Sequence, residues 1–180
     1  MRLLLAAMLG EPPQSFAFAA TEYGKPGLAR PRGIAFNMSH SGGIVLIGVA
    51  RDLAIGVDVE ALREVPERPN IVRRYFHPGE AADFATLRAD QAQSAFFRCW
   101  SRKEAVVKAL GVGMSLDLHR YRVTCLPDAA PEVLALEGDT DAAASWSLVD
   151  LDPAPGHVGA VAARAQPLAV RCLTFDPEPA

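Results

Sequence analysis

Two short segments of this chain carry charged side chains where a strand and a helix would normally carry apolar ones. In the first, IGVDVE, strict alternation predicts a strand with Ile55, Val57 and Val59 on one face. Asp58 and Glu60 then share the opposite face, roughly 7 Å apart at their backbones. Two ionised carboxylates at that spacing accept hydrogen bonds only and repel each other. A positive charge close to this face would offset that repulsion.

The second segment, FFRCWSRKEAVVKALG, predicts a helix from about Ser94 to Leu110 that stops at Gly111. Its apolar residues recur at the helical period and form one stripe: Phe96, Cys99, Trp100, Val106, Val107 and Leu110. Lys103 falls inside this stripe, while Glu104 and Lys108 share its margin at spacing i, i+4. An ammonium group buried in an apolar face is costly unless an anion meets it.

One arrangement satisfies both segments. Asp58, Glu60 and Glu104 would hold a divalent cation, and an anionic ligand would bind Lys103 and Lys108. Oxygen ligands without His or Cys favour Mg²⁺ or Mn²⁺ over zinc. Because Mg²⁺ usually takes its remaining ligands from water and substrate phosphates, the pattern indicates a phosphate-handling site.

Each of these residues also has a simpler interpretation. Asp58 and Glu60 could lie on an exposed strand face, and Lys103 could extend along the stripe to reach water. Lys108 could form only a surface pair with Glu104, a contact that stabilises an isolated helix by ~0.2–0.5 kcal/mol.

A third polar segment, FNMSHSGG, places Ser39 and His40 at a strand end just before Gly42 and Gly43. Glycines let the backbone approach a ligand closely, and N–H groups of a turn can cradle phosphate oxygens. In isolation, His40 would more often be a structural histidine of a turn. The chain lacks the G-x-S-x-G elbow, the Walker loop and the dinucleotide fingerprint, which argues against hydrolase, NTPase and Rossmann assignments.

Composition narrows the range of partners. The 180-residue chain has a formal net charge of −3 and no Lys/Arg run, so nothing indicates binding to nucleic acid or to a membrane surface. Cys99, Cys125 and Cys172 form no C-x-x-C pair, which argues against a disulfide framework or a zinc knuckle. A reducing, cytoplasmic location is favoured. No apolar stretch is long enough to span a bilayer.

The beginning of the chain superficially resembles a secretory signal, with Arg2 followed by LLLAAML. This apolar run is short and is interrupted by Gly10, Glu11 and two prolines. An amphipathic helix that ends at Gly10 is the better interpretation.

The order of predicted elements indicates an α+β fold. Short polar turns separate the strands IAFNMS, IVLIGVA and AIGVDVE, which is typical of an antiparallel meander. The short helices NIVRRYF and PGEAADFATL follow, then the long helix, then the strands YRVTC, SWSLVDL, HVGAVAARA and VRCLTF. We expect one domain over residues 1–180 built from two similar α+β halves, about 1–90 and about 91–180.

Taken together, three segments resemble a known family. TEYGKPGLARPRGIAFNMSHSGG, IGVDVE and FFRCWSRKEAVVKALGVGMS are similar to the motifs of 4′-phosphopantetheinyl transferases of the surfactin-synthetase-activating (Sfp) type, in the same order. The resemblance implies a pseudo-twofold fold of two α+β halves with the active site between them. It also implies transfer of phosphopantetheine from coenzyme A to a serine hydroxyl of an apo acyl or peptidyl carrier protein. The second product would be adenosine 3′,5′-bisphosphate.

The resemblance also assigns the acidic residues and the helix lysines. Asp58, Glu60 and Glu104 would hold Mg²⁺ against the diphosphate of coenzyme A, and Lys103 and Lys108 would neutralise its phosphates. The cation and the lysines would stabilise charge on the leaving phosphate. Glu104, or a water on the metal, would accept the serine proton.

The remaining implied contacts to coenzyme A come from Lys25 of the GKP turn, Ser39 and His40, and they include its 3′-phosphate. Family members usually carry a sizeable segment before the helix LLLAAMLG, and here that segment is apparently missing, which puts coenzyme A affinity in question. Two alternatives follow: a non-catalytic module that binds coenzyme A or a carrier protein, and a structural domain with solvated charges. A single chain with one site between two halves favours a monomer.

Overall fold

The computed structural model describes residues 1–30, 32–113, 116–137, 139 and 141–175. Pro31, Met114 and Ser115, which belong to the family-like segments, lie outside the described residues. The helices are α1 Arg2–Leu9, α2 Arg68–Tyr75, α3 Pro78–Ala85, α4 Ala89–Leu110 and α5 Ala142–Ser145. The strands are β1 Phe18–Ala20, β2 Pro26–Leu28, β3 Ile34–Ser41, β4 Ile44–Arg51, β5 Ile55–Ala61, β6 Tyr121–Val123, β7 Val133–Leu136, β8 Ser147–Leu151 and β9 His157–Ala163.

Helices and antiparallel strands both contribute to the core, so the predicted α+β class is confirmed. The described strands form a three-stranded sheet in the order β5-β9-β8 and three two-stranded pairs, β1-β2, β3-β4 and β6-β7. Because β5 pairs with β9, the first and second parts of the chain share one sheet. The division into two similar halves stays a prediction.

The predicted meander is correct for its first two strands and wrong for the third. β3 and β4 form an antiparallel hairpin, but the backbone of β5 pairs with β9, with Asp58 opposite Ala160. Polar side chains of β3 make the connection to β5 instead. Asn37 Oδ1 accepts a hydrogen bond from Val57 N at 2.8 Å, and Ser41 Oγ accepts one from Ala61 N at 3.0 Å. These contacts place the inward face of β3 directly beside the carboxylates of β5.

Helix α4 packs directly across β5, and a glycine makes the close approach possible. A Cβ atom on Gly56 would lie 2.0 Å from Ala105 O and 2.3 Å from Ala109 N, both in the backbone of α4. On the side facing α2, α3 and β6, the helix buries apolar residues in the main core, among them Phe96, Phe97, Cys99, Val106 and Val107. The sequence at Gly56 thus determines how near α4 comes to the strand that carries Asp58.

Of the other predicted elements, two helix ends are confirmed, one helix begins earlier than predicted, and one strand is wrong. Helix α1 ends at Gly10 as predicted, with φ 68° in the left-handed region. Helix α4 reaches Leu110 and Gly111 as predicted but begins earlier, at Ala89. The predicted strand VRCLTF is wrong, because residues 170–175 belong to no strand. Among the described helices, none combines the length and apolar character needed to cross a membrane.

Candidate active site

The centre of the candidate site is an ion pair between helix α4 and strand β5. Lys108 Nζ lies 2.7 Å from Asp58 Oδ1 and 3.0 Å from Ser39 Oγ. The hydroxyl of Ser39 donates to the same Asp58 oxygen at 2.8 Å. Three elements thus meet at one carboxylate oxygen, and two of the residues are those that the resemblance assigned to the metal and to phosphate.

Asp58 is the most buried of the three predicted metal ligands, with 4% of its surface exposed. Its second oxygen, Oδ2, is buried and has no hydrogen-bond partner among the described residues. Burial raises the pKa of the Asp58 carboxyl, while Lys108 and Ser39 lower it and Glu60 raises it further. A buried acceptor without a partner is unusual, because nearly all such groups are hydrogen-bonded. Asp58 Oδ2 is therefore available to a ligand.

Glu104 lies one helical turn before Lys108 and is half-buried. Its pKa is raised by burial and by the charges of Asp58 and Glu60, and it is lowered by Lys108. The carboxylate of the helix therefore lies near enough to both carboxylates of the strand for their charges to affect its pKa.

Glu60 lies at the outer end of β5, where the strand leaves the core. Its Oε2 accepts hydrogen bonds from Ser41 Oγ at 3.3 Å and from Arg63 Nη1 at 3.1 Å. Arg63 was not identified from the sequence. Its spacing of i+3 from Glu60 carries little information outside a helix.

The divalent cation that the resemblance implies requires several oxygen ligands at one position. Across the described part of the chain, no His, Cys, Asp or Glu side chains stand in a ready-made group of three around a metal position. The donors nevertheless suit Mg²⁺: they are carboxylate oxygens, they interact with one another, and Asp58 Oδ2 is buried without a partner. These residues fit a divalent cation if Lys108 either shares the Asp58 carboxylate with the cation or moves away from it.

Lys103 contradicts its assignment as a phosphate ligand. Its side chain is fully buried, and Nζ donates to both carboxylate oxygens of Glu80 at 2.9 Å and to Tyr121 O at 2.8 Å. Nζ also lies 4.1 Å from the centre of the Tyr121 ring. The anion that this lysine requires is a carboxylate of α3, not a substrate, so Lys103 is a structural residue of the core.

Lys25 lies close to the site, but its ammonium group is already engaged. Nζ donates to Ile55 O at 3.0 Å and to Lys108 O at 2.5 Å, and burial lowers its pKa. As the structure stands, Lys25 binds backbone carbonyls rather than presenting a free charge.

Ser39 and His40 occupy opposite faces of β3. Ser39 is buried against Asp58, whereas His40 is exposed and pairs across the hairpin with Val45. In the turn that follows, Gly42 and Gly43 both have positive φ, 53° and 84°. A contact between His40 and coenzyme A would have to come from the outer face of the hairpin.

The sequence reasoning missed Glu80, the partner of Lys103. Glu80 is the third residue of α3, and its Oε2 accepts from His77 N at 3.0 Å to complete a capping box. The segment HPGE could have shown the capping interaction, since proline and a glutamate two residues later mark a helix start. It could not have shown the pairing with a lysine 23 residues away.

Carboxylates from a strand and a helix, with a lysine ion-paired at their centre, offer ligands for a divalent cation and a positive charge for a phosphate. Comparison with known protein families identifies the class of protein: residues 54–163 match the model of the 4′-phosphopantetheinyl transferase superfamily. The match runs from just before β5 to the end of β9 and includes Asp58, Glu60, Glu104 and Lys108. The chain belongs to the 4′-phosphopantetheinyl transferase superfamily, as the motifs indicated.

Individual relatives agree with this assignment. The chain is 33% identical over 165 residues to the 4′-phosphopantetheinyl transferase HetI of Nostoc sp., covering 90% of this chain and 66% of the relative. It is 34% identical over 128 residues to a 4′-phosphopantetheinyl transferase of Bacillus subtilis, covering 71% of this chain and 56% of the relative. The chain thus spans about two thirds or less of these relatives' lengths. A holo-[acyl-carrier-protein] synthase structure from Thermotoga maritima has a TM-score of 0.49 at 18% identity, covering 63% of this chain and 64% of that one.

Proposed function

We propose that the protein transfers the 4′-phosphopantetheine group of coenzyme A to a serine hydroxyl of an apo carrier protein. The observation that carries this proposal is the contact of Lys108 with Asp58 and Ser39, with Glu104 one turn away and Asp58 Oδ2 unpartnered. Membership of the superfamily supplies the substrate class. The site supplies the charges that a diphosphate requires.

The reaction exchanges one phosphate ester for another. The serine oxygen of the carrier forms a bond to the phosphorus that bears the pantetheine arm. The bond from that phosphorus to the oxygen bridging the diphosphate breaks, and adenosine 3′,5′-bisphosphate leaves with the bridging oxygen. The hydroxyl proton passes to a base, so no oxidant or other co-reactant is needed.

Lys108 is suited to neutralise the leaving phosphate. Its side chain is 26% exposed, so the ammonium group is accessible while still anchored by Asp58. A cation fixed in position before the reaction stabilises developing negative charge without reorganisation. We assign Lys108 to the phosphate and leave Lys103 out of the site.

Glu104 is suited to accept the serine proton. Without a bound cation, burial and the neighbouring carboxylates raise its pKa and Lys108 lowers it, with a net increase that favours proton uptake. It lies on the same helix as Lys108, so the proton acceptor and the phosphate ligand keep a fixed relation to each other.

The implied Mg²⁺ would be held by Asp58, Glu60 and Glu104, of which Asp58 already offers a free buried oxygen. When bound, the ion supplies positive charge against the diphosphate. Ser39 holds Asp58 through its hydroxyl and thereby fixes the orientation of that carboxylate. The same proposal includes dependence of the activity on Mg²⁺ or Mn²⁺.

The partners we propose are coenzyme A and an apo acyl or peptidyl carrier protein, with no nucleic acid and no membrane. Cys99, Cys125 and Cys172 are all free thiols, which suits a reducing cytoplasm, and one site within a single chain suits a monomer.

The experiment is to incubate the purified protein with coenzyme A, Mg²⁺ and a panel of apo carrier proteins, then measure carrier mass. We expect the phosphopantetheine mass to appear on the serine, to disappear with EDTA, and to be absent with Asp58→Asn. Arg88→Met, an exposed change at the residue just before α4, is the control and should retain activity.

A folded protein that modifies no carrier would contradict the proposal. If calorimetry still detected coenzyme A binding in that case, the protein would be a non-catalytic binding module.

A further inference from the structure

Lys25 joins three parts of the molecule that lie far apart in sequence. It follows the turn between β1 and β2, where Thr21 N donates to Lys25 O at 2.9 Å and Lys25 N donates to Thr21 Oγ1 at 3.1 Å. Its Nζ reaches out of this turn to the carbonyl oxygens of Ile55, Lys108 and Ala109 at 3.0, 2.5 and 3.5 Å. The third of these contacts is the weakest.

Two of these carbonyls, those of Lys108 and Ala109, belong to the last turn of α4, where a helix leaves its carbonyl groups without partners. The last four carbonyls of an α-helix have no intrahelical donor, and α4 ends at Leu110. A lysine at this end satisfies two of them and also interacts favourably with the helix dipole. Ile55 is the first residue of β5, so one ammonium group bridges the end of α4 and the start of β5.

The packing around Lys25 is consistent with a permanent contact. A Cβ atom on Gly111 would lie 3.4 Å from Lys25 Cδ, so the aliphatic part of the lysine lies on the residue that ends α4. Gly111 itself has φ 72°. Lys25 is half-buried, and this burial lowers the pKa of its ammonium group.

We infer that Lys25 is a positioning residue: it fixes the backbone of Lys108 against β5 and so keeps the Lys108 ammonium beside Asp58. This inference rests on the proposed function for its catalytic consequence. It is an alternative to the direct contact with the 3′-phosphate of coenzyme A that the family resemblance implies for Lys25.

Two substrates separate these roles. Dephospho-coenzyme A lacks the 3′-phosphate but keeps the diphosphate on which the reaction occurs. If Lys25 positions Lys108, Lys25→Met should lower kcat with both substrates by the same factor, on the order of ten- to a hundredfold, and leave their ratio unchanged. If Lys25 binds the 3′-phosphate, the loss should occur with coenzyme A and vanish with dephospho-coenzyme A, which would overturn the inference.

A second measurement needs no substrate. Amide hydrogen exchange over residues 107–112 should become faster in Lys25→Met, because the end of α4 loses its anchor. Thr21→Val is the matched control: it removes a hydrogen bond from the same turn but touches neither α4 nor β5. It should leave both exchange at the helix end and kcat close to wild type.

Three further results would contradict the positioning role. In Lys25→Met, hydrogen exchange over residues 107–112 could stay unchanged, or the melting temperature could fall while kcat stays unchanged. Alternatively, Thr21→Val could change exchange and kcat as much as Lys25→Met does. Inactivity of the wild-type protein with every carrier would instead reject the proposed function, and the exchange measurement would still test the contact of Lys25 with α4.

Discussion

Lys108 and Asp58 form an ion pair in which Nζ and Oδ1 are 2.7 Å apart. The lysine comes from the last turn of α4 and the aspartate from the middle of β5, and both residues lie where these two elements cross. The pair places one positive charge among three carboxylates that interact with one another. Under the proposed function, the Lys108 ammonium would pair with Asp58 in the free protein and with a phosphate in the complex.

Lys108→Met should separate these two roles. Transfer should lose roughly 1.5–3 kcal/mol of stabilisation, the range for a charged hydrogen bond. Binding of Mn²⁺ in the absence of coenzyme A should become tighter, because a positive charge next to Asp58 has been removed. Steady-state kinetics and calorimetric titration with Mn²⁺ measure the two effects. Arg88→Met removes one exposed charge just before the start of α4, far along the helix from Lys108, and should change neither quantity. If Lys108→Met left transfer unchanged, the lysine would be only a structural partner of Asp58.

Asp58→Asn should abolish transfer without lowering stability at neutral pH. The pKa of Asp58 is raised by burial, so the folded state holds this proton more tightly than the unfolded chain does. The free energy of unfolding therefore falls as the pH rises from the unfolded-state pKa near 3.8 through the higher folded-state pKa. Above the folded-state pKa, the ionised Asp58 destabilises the fold by its full amount. Asparagine removes the titration. In metal-free buffer the variant should melt at or above the wild-type temperature at pH 8.

The sign of the pH dependence provides the check. The difference in melting temperature between Asp58→Asn and wild type should shrink as the pH is lowered through the folded pKa, and Glu104→Gln should behave in the same way. A difference that grew on acidification would mean that these carboxylates stabilise the fold when ionised.

Lys103→Met should weaken the fold rather than substrate binding. Lys103 and Glu80 are both fully buried, and removal of one partner from such a pair costs about 3–5 kcal/mol. The double variant Lys103→Met/Glu80→Gln should recover part of the lost stability, because the buried negative charge of Glu80 is then also absent. The amide oxygen of the new glutamine can still accept a hydrogen bond from Val123 N. Urea unfolding measures the stabilities. The folded fraction of Lys103→Met should keep the wild-type KM for coenzyme A. A raised KM at unchanged stability would restore the original assignment of Lys103 to phosphate.

Local patterns predicted the elements of the site but not all of its contacts. The apolar alternation in β5 and the helical period of α4 depend only on residues close together in the sequence. Both elements, and the positions of Asp58, Glu104 and Lys108 on them, could therefore be predicted. Partners from distant segments could not. Nothing near Lys103 in the sequence distinguishes a phosphate from a carboxylate of α3 as its anion. Likewise, the pairing of β5 with β9 depends on a strand about one hundred residues later.

Gly56→Ala should move α4 away from β5 and disturb the site without altering any residue in it. The added Cβ would meet Ala105 O and Ala109 N at 2.0 and 2.3 Å, so backbone rather than a flexible side chain must shift. Overpacking typically costs about 1–3 kcal/mol, and a displacement near 1 Å can lower kcat on the order of a hundredfold. Gly27→Ala is the matched control, since no atom lies within 4 Å of its Cβ position. Urea unfolding and kcat at a temperature where both variants are folded measure the outcome.

Full kcat in folded Gly56→Ala would show that the spacing of α4 and β5 does not limit the reaction. A loss of both quantities only in Gly56→Ala would locate catalysis at the crossing of the two elements, because no charged group would have been changed.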